Sequence, residues 1–331
     1  MNLIDKITGG RGKPDSDMKI VLAELAMKGG KPIESLSAEE ARKQPTPTDA
    51  VKEVLKNKNR GQQPEKENKL AEVRDIEVQG AAGKIAARLY IPVGQKPFPV
   101  IVYFHGGGFV IATNDVYDST PRSLAELTEA IFVSVEYRKA PESKFPAAHD
   151  DAFAAYKWVL DNAASFGGDP KRVAVAGESA GGNLALNVAI KARDEAIQIP
   201  THELLIYPVA SNDMNSESYM ENSNAKPLSK PMMQWFMKLY TNSPDEAQDT
   251  RLNLVAADLK NLGPATVITA EIDPLRSEGK LLAEKLRQAG VEVEYKNYEG
   301  VTHEFFGMAA VVQDAKDAQQ FAAKELMKSL H

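Results

Sequence analysis

The sequence predicts an α/β protein, a mostly parallel sheet of eight strands with helices on both faces. Two observations predict it. Five short runs, at 99–104, 131–135, 172–176, 204–207 and 265–270, are predominantly apolar without alternation, as strands buried on both faces require. Segments of helical character separate them, and strands alternating with helices imply parallel pairing with helices above and below. At 331 residues the chain has room for one large α/β domain with an appendage, or for two domains.

Residues 1–70 differ from the rest, being rich in charge, glycine and proline. An amphipathic helix is expected over 17–28, stopped by Gly29-Gly30. Ser37-Ala38-Glu39-Glu40 has capping-box spacing and starts another, which must end before Pro45 and Pro47. A third is expected over 49–57. These pieces are too short for a core of their own and are expected to lie on another domain. Strands at 73–79 and 84–91 flank the turn Gly80-Ala81-Ala82-Gly83, an antiparallel hairpin. The five buried strands follow, with helices at 123–129, 147–164, 179–193, 275–289 and 309–330. A last strand at 291–298 alternates more and belongs near an edge.

The stretch 211–262 interrupts this rhythm. Residues 211–223 are polar and turn-like, and 231–240 is a helix carrying Met232, Met233, Trp235, Phe236 and Met237. It is either a packed connection or a lid whose adaptable side chains face a substrate. Its size suits a lid over the carboxyl ends of the strands, where ligands bind in such sheets.

Bulk properties exclude several functions. With 43% hydrophobic and 26% charged residues the composition is that of an ordinary soluble globular protein. A net charge of −6 leaves no electrostatic footprint for nucleic acid or an anionic membrane. No stretch approaches the ~20 apolar residues of a membrane span. The first ten residues lack the apolar core of a signal peptide, so a cytoplasmic location is expected unless an export signal has been removed. The absence of cysteine rules out disulfides, thiolate nucleophiles and cysteine-bound metals, and leaves the compartment open.

The chemistry starts at Gly177-Glu178-Ser179-Ala180-Gly181. A serine between glycines, after a strand and opening a helix, matches the nucleophile elbow, where the turn is too tight for side chains on either side. The helix N-terminus behind it favours negative charge. Of five histidines, His105 precedes three glycines, His149 sits at a helix start, His202 precedes a strand and His331 closes the chain. His303 follows the last strand, on a loop that reaches the top of the sheet. Asp273 follows the strand at 265–270 and suits a helix N-cap equally well. Ser179, Asp273 and His303 thus fall on three loops at one sheet edge, in the order Ser…Asp…His expected of α/β-hydrolases. His303 then serves as general base and acid, and Asp273 holds its tautomer. His105-Gly106-Gly107-Gly108-Phe109 follows a buried strand, and its glycines let backbone N–H groups converge as an oxyanion hole with the N–H of Ala180. His303-Glu304 begins like a zinc-binding His-Glu-x-x-His, but residue 307 is Gly307, so no metal site is expected.

Together these stretches resemble the hormone-sensitive lipase-like family of α/β-hydrolase esterases, in its mainly microbial branch. The matching segments are His105–Phe109, Glu136-Tyr137-Arg138-Lys139-Ala140-Pro141-Glu142, Phe145-Pro146-Ala147-Ala148, Gly168-Asp169-Pro170, Gly177–Gly182, Asp273-Pro274-Leu275-Arg276 and His303. They occur in order over 71–331. The resemblance implies an α/β-hydrolase fold with a helical cap made from 1–70 and 211–240, over a catalytic core at 71–210 and 241–331. It implies Ser179, Asp273 and His303 as triad and Gly107, Gly108 and Ala180 as oxyanion donors, with His105 and Gly106 in support. Phe109, Met232, Met233, Phe236 and Phe305 are expected to line the pocket. Homodimers are frequent in that family, although no seam is legible here.

Three positions depart from the family pattern. Glu178 stands where Asp is common, and Ser277 where an acid often follows Asp-Pro-Leu-Arg. Glu304-Phe305-Phe306 stands where Gly-Phe is frequent. Glu178 is expected to be solvated or to support the helix N-terminus, a second acid near the site being the alternative.

The expected activity is that of a serine carboxylesterase. It acts on a small-molecule ester with a short to medium acyl chain, through an acyl-enzyme on Ser179 and without cofactor. An amidase, lactonase or deacetylase would use the same residues, and a catalytically silent binding protein the same fold.

Overall fold

The computed structural model describes residues 9–58 and 70–331. Three helices come first: α1 (Ser16–Met27), the single turn α2 (Ala38–Ala41) and α3 (Pro47–Lys58). The hairpin is β1 (Leu70–Gly80) and β2 (Gly83–Pro92). There follow β3 (Phe98–Phe104), α4 (Ser119–Thr128), β4 (Ile131–Val135), α5 (Ala147–Asn162), β5 (Gly168–Glu178), α6 (Ala180–Asp194) and β6 (Glu203–Ile206). The interrupting stretch holds α7 (Glu217–Glu221) and α8 (Lys230–Tyr240). The chain then runs through β7 (Ala265–Ile272), α9 (Arg276–Gln288), β8 (Val293–Thr302) and α10 (Gln313–Leu330). The opening residues 1–8, on which the expectation about export rests, lie outside the described residues. So does 59–69 of the N-terminal segment.

The eight strands form one sheet in the order β1-β2-β4-β3-β5-β6-β7-β8. β1 pairs antiparallel with β2, and β2 antiparallel with β4; every later neighbour is parallel. Period-two geometry explains the unbroken apolar runs. Val100, Val102 and Phe104 of β3 pack with residues of α5, α6 and α9 on one face, while Ile101 and Tyr103 pack with α4 and α10 on the other. β8 is an edge strand, exposed at alternate positions over its first half and buried only where it approaches the site.

Boundaries moved where tertiary contacts outweigh local propensity. The capping box forms as read, with Ser37 accepting from the Glu40 N–H and Glu40 accepting from the Ser37 N–H at 3.0 Å. α7 appears inside a polar stretch that reads as loop. Ser218 in it donates to the Pro274 carbonyl at 2.5 Å and is bonded by the Ser277 N–H at 3.0 Å, so that turn is held from outside. The final helix starts at Gln313 rather than 309, after a 3₁₀ turn over Phe305–Met308. Among the described residues no helix is long and apolar enough to cross a membrane.

Candidate active site

Sheet register brings the site together. Phe104 on β3 lies beside Gly177 on β5, so the glycine loop after Phe104 and the elbow after Gly177 emerge side by side. Ile272 on β7 lies opposite Thr302 on β8, so Asp273 and His303 are the next residues out of paired positions. All of these sit at the carboxyl ends of parallel strands.

Ser179 has φ 57° and ψ −117°, a left-handed strain that a side-chain-bearing residue adopts only where its surroundings impose it. The imposition is steric. A Cβ on Gly177 would lie 2.1 Å from the Gly181 carbonyl oxygen, and one on Gly181 would lie 1.9 Å from that of Phe104. The turn lifts Ser179 Oγ to 3.0 Å from His303 Nε2, while His303 Nδ1 lies 2.6 Å from Asp273 Oδ2. Asp273 also accepts the Leu275 N–H on Oδ1 at 2.8 Å, so one carboxylate orders the start of α9 and faces the imidazole. All three side chains are buried. Burial alone would lower the His303 pKa. The charge and hydrogen bond of Asp273, with Glu304 and Glu178 behind, raise it above 6.5 instead.

The glycine loop turns at Gly107, whose carbonyl accepts from the Val110 and Ile111 N–H groups. Among the described residues the N–H groups of Gly107 and Gly108 make no hydrogen bond, and that of Ala180 opens α6, where no intrahelical acceptor exists. These are free donors beside Ser179. His105 and Gly106 back the loop: the Tyr137 hydroxyl donates to the His105 carbonyl at 2.8 Å and to that of Gly106 at 3.2 Å. The two rings stack 4.5 Å apart.

A cavity of about 540 Å³ opens onto Ser179 and His303. Met232, Met233 and Phe236 of α8 wall it from one side, and Leu22, Leu25 and Ile33 from the N-terminal segment wall it from another. The two segments are tied by the Trp235 indole N–H, which donates to the Leu36 carbonyl at 3.2 Å. Arg42 ties them to the sheet domain, with both terminal nitrogens 2.7 Å from Glu142 and with bonds to the carbonyls of Val110 and Ala140.

Phe109 and Phe305 do not line this cavity, against expectation. Phe109, at φ 63°, turns its ring into the core, where it stacks 4.2 Å from Tyr240. Phe305 follows Glu304, whose left-handed backbone at φ 70° sends the next ring behind the site, against Tyr207 and Tyr298. His149 and His202 are held in the core by Tyr240 and Asn183, and by Ser329 and Thr266; burial pushes both pKa values down to about 4.

Glu178 is not solvated. It is buried, accepts from Tyr103 at 2.6 Å and from Tyr207, and burial with Glu304 nearby pushes its pKa up to about 7. The Tyr207 ring lies 4.4 Å from that of His303, so this acid stands behind the histidine through an aromatic ring. Sequence reasoning missed Tyr207, which ends an apolar strand and carries no motif. It also missed Glu304 as a member of the site, although its neighbour His303 was identified.

Comparison with known proteins agrees with this geometry. A family model described as the α/β hydrolase fold matches residues 101–307. The chain is 41% identical over 252 residues to the carboxylesterase NlhH of Mycobacterium tuberculosis, covering 75% of this chain and 79% of that one. It is 30% identical over 325 residues to an ethyl acetate hydrolase of Pseudomonas putida, covering 96% and 99%. Among solved structures it is similar to a thermostable esterase from Pseudomonas putida ECU1011, with a TM-score of 0.85 at 32% identity, over 98% of this chain and 99% of that one.

Proposed function

Because the chain belongs to the α/β-hydrolase family, among its hormone-sensitive lipase-like esterases, and is a carboxylic ester hydrolase, we propose that it cleaves small esters of short to medium acyl chain through an acyl-enzyme on Ser179. The observation that carries the mechanism is the relay from Ser179 Oγ through His303 to Asp273, at 3.0 and 2.6 Å.

In this reading Ser179 Oγ bonds to the ester carbonyl carbon as His303 Nε2 takes its proton. The carbonyl oxygen gains charge and is met by the N–H groups of Gly107, Gly108 and Ala180. Collapse breaks the bond to the alcohol oxygen, which leaves with the proton from Nε2. Water then passes a proton to His303 Nε2 and its hydroxyl to the acyl carbon; the bond from that carbon to Ser179 Oγ breaks, Oγ takes the proton back from Nε2, and the acid leaves.

The segments 1–70 and 211–240 act as the cap. Their support is that both contribute apolar walls to the cavity above Ser179. A cavity of about 540 Å³ suits short and medium acyl chains better than long ones, and one relative is named for hydrolysis of ethyl acetate.

Ser179→Ala tests the reading. Turnover of p-nitrophenyl butyrate should fall by about 10⁶, and near-normal turnover would overturn it. A chain-length series should show kcat/KM lower for the palmitate than for the butyrate ester.

A further inference from the structure

We propose that Glu304 selects the alcohol half of the substrate, favouring esters with a cationic leaving alcohol over uncharged isosteres and disfavouring anionic ones. This rests on the reading of Ser179, His303 and Asp273 as the triad.

The imidazole of His303 meets a carboxylate at each nitrogen. Asp273 is hydrogen-bonded to Nδ1 at 2.6 Å, and Glu304 Oε1 lies 3.9 Å from Nε2. The second spacing is too long for a hydrogen bond and leaves Nε2 to Ser179 Oγ. Glu304 is held in place by its left-handed backbone and by the Tyr117 hydroxyl, which donates to Oε1 at 2.5 Å.

Of the three acids around His303, Glu304 is the one a substrate can touch. Asp273 is fully buried, and Glu178 is buried with an oxygen bonded to each of two tyrosines. The Glu304 side chain keeps 22% of its exposure and lines the cavity beside Ser179 and His303. The alcohol half must pass close to it. The leaving oxygen takes its proton from Nε2, so it must come within a hydrogen bond of that atom. One hydrogen bond added to the 3.9 Å puts it within about 7 Å of the carboxylate.

Other charges at the cavity do not cancel this one. Arg42 is paired with Glu142, and Lys139 with Glu136 and the Ala112 carbonyl. Lys31 and Lys226 are exposed, where water and salt screen them, and Glu34 has the same sign as Glu304. A cationic nitrogen two carbons beyond the leaving oxygen lies within about 10 Å of the carboxylate, and at an effective dielectric of about 20 to 30 a single charge there changes kcat/KM by about tenfold.

The preference should also depend on pH. His303, Tyr117, Asp273, His105 and Glu178 act on Glu304, and burial is the largest influence, raising its pKa above the usual carboxylate value. Selectivity for a cation therefore grows as pH rises through that value and Glu304 loses its proton.

The test compares 2-(trimethylammonio)ethyl acetate with its uncharged isostere 3,3-dimethylbutyl acetate, in wild type and Glu304→Gln, as the ratio of kcat/KM across pH. Any change in the shared triad cancels in that ratio. The wild-type ratio should exceed that of Glu304→Gln by about tenfold at alkaline pH and rise with pH, while the variant stays flat. Tyr117→Phe removes the donor to Glu304 and should move the rise to higher pH, which gives a reading even where Glu304→Gln does not fold. Equal, pH-independent ratios in wild type and in the variants that fold would overturn the proposal. The esterase reading would then stand, because Ser179-dependent hydrolysis of the neutral acetate is a separate readout. Wild type inert toward both acetates would overturn the proposal as well.

Discussion

Asp273 and His303 leave the sheet one residue beyond a paired position, Ile272 opposite Thr302, and meet at 2.6 Å from Oδ2 to Nδ1. The pairing slips just before this point, since Ala270 lies opposite Tyr298 and β8 takes in two extra residues before Thr302, so it is the pair resumed at Ile272 and Thr302 that sets the distance between the acid and the base. A site built on paired strands holds its geometry better than one built on loops.

The first prediction follows from that contact. His303 must be neutral to take a proton, and Asp273 helps raise its pKa above 6.5 against the opposing effect of burial. Activity is therefore lost as pH falls, with the midpoint of kcat/KM above 6.5. Asp273→Asn should move that midpoint down and lower kcat by about 10⁴. A pH–rate profile of both proteins checks it, and an acid limb that stays in place in the variant would contradict it.

Much of this was legible in the sequence, and the reasons are local. β3, β4 and β6 are buried along their whole length, so their apolar runs carry no competing signal. The elbow is legible because close backbone approach admits only glycine at Gly177 and Gly181. Side-chain direction was not legible where a single backbone angle decides it. Phe109 and Phe305 each sit at or after a left-handed residue that turns a ring away from the cavity, and nothing in their neighbours' identities announces the turn. Glu178 failed for another reason. Its partners Tyr103 and Tyr207 lie on β3 and just past β6, so its burial becomes visible only once three strands are side by side.

The second prediction concerns the oxyanion loop. Gly108 has φ 58°, and a Cβ there would lie 2.3 Å from a ring carbon of Phe236. Gly108→Ala must therefore shift the loop or α8, displacing a backbone donor from the place where charge develops. The expected loss in kcat is about 10² to 10³ with the fold retained by circular dichroism. Adding Phe236→Ala removes the clash but not the backbone strain, so only part of the activity should return. Wild-type kcat in the single variant would show that Gly108 N–H is not a donor.

The third prediction concerns stability. Glu203 begins β6 at the centre of the sheet, between Val175 of β5 and Ala265 of β7. It is fully buried and neither carboxyl oxygen has a hydrogen-bond partner among the described residues. Burial pushes its pKa up to about 8, and the backbone at Gly263 pulls it back only in part. The folded protein therefore holds a proton up to about pH 8, whereas the unfolded chain releases it near 4.5. The folded state binds more protons across that window, so Glu203 makes stability fall as pH rises through it and level off above. At roughly 1.4 kcal/mol per pH unit the loss across the whole window is on the order of 5 kcal/mol, of which about 4 kcal/mol falls between pH 5 and pH 9. Glutamine has no charge to bury, so Glu203→Gln should gain stability relative to wild type by that order between pH 5 and pH 9. Glu178 and Glu278, pushed up to about 7 and about 8, slope the same way in both proteins and cancel in the difference. Urea unfolding of the pair at the two pH values measures it, and a difference that does not change with pH would mean that Glu203 ionises in the folded state as readily as in the unfolded chain.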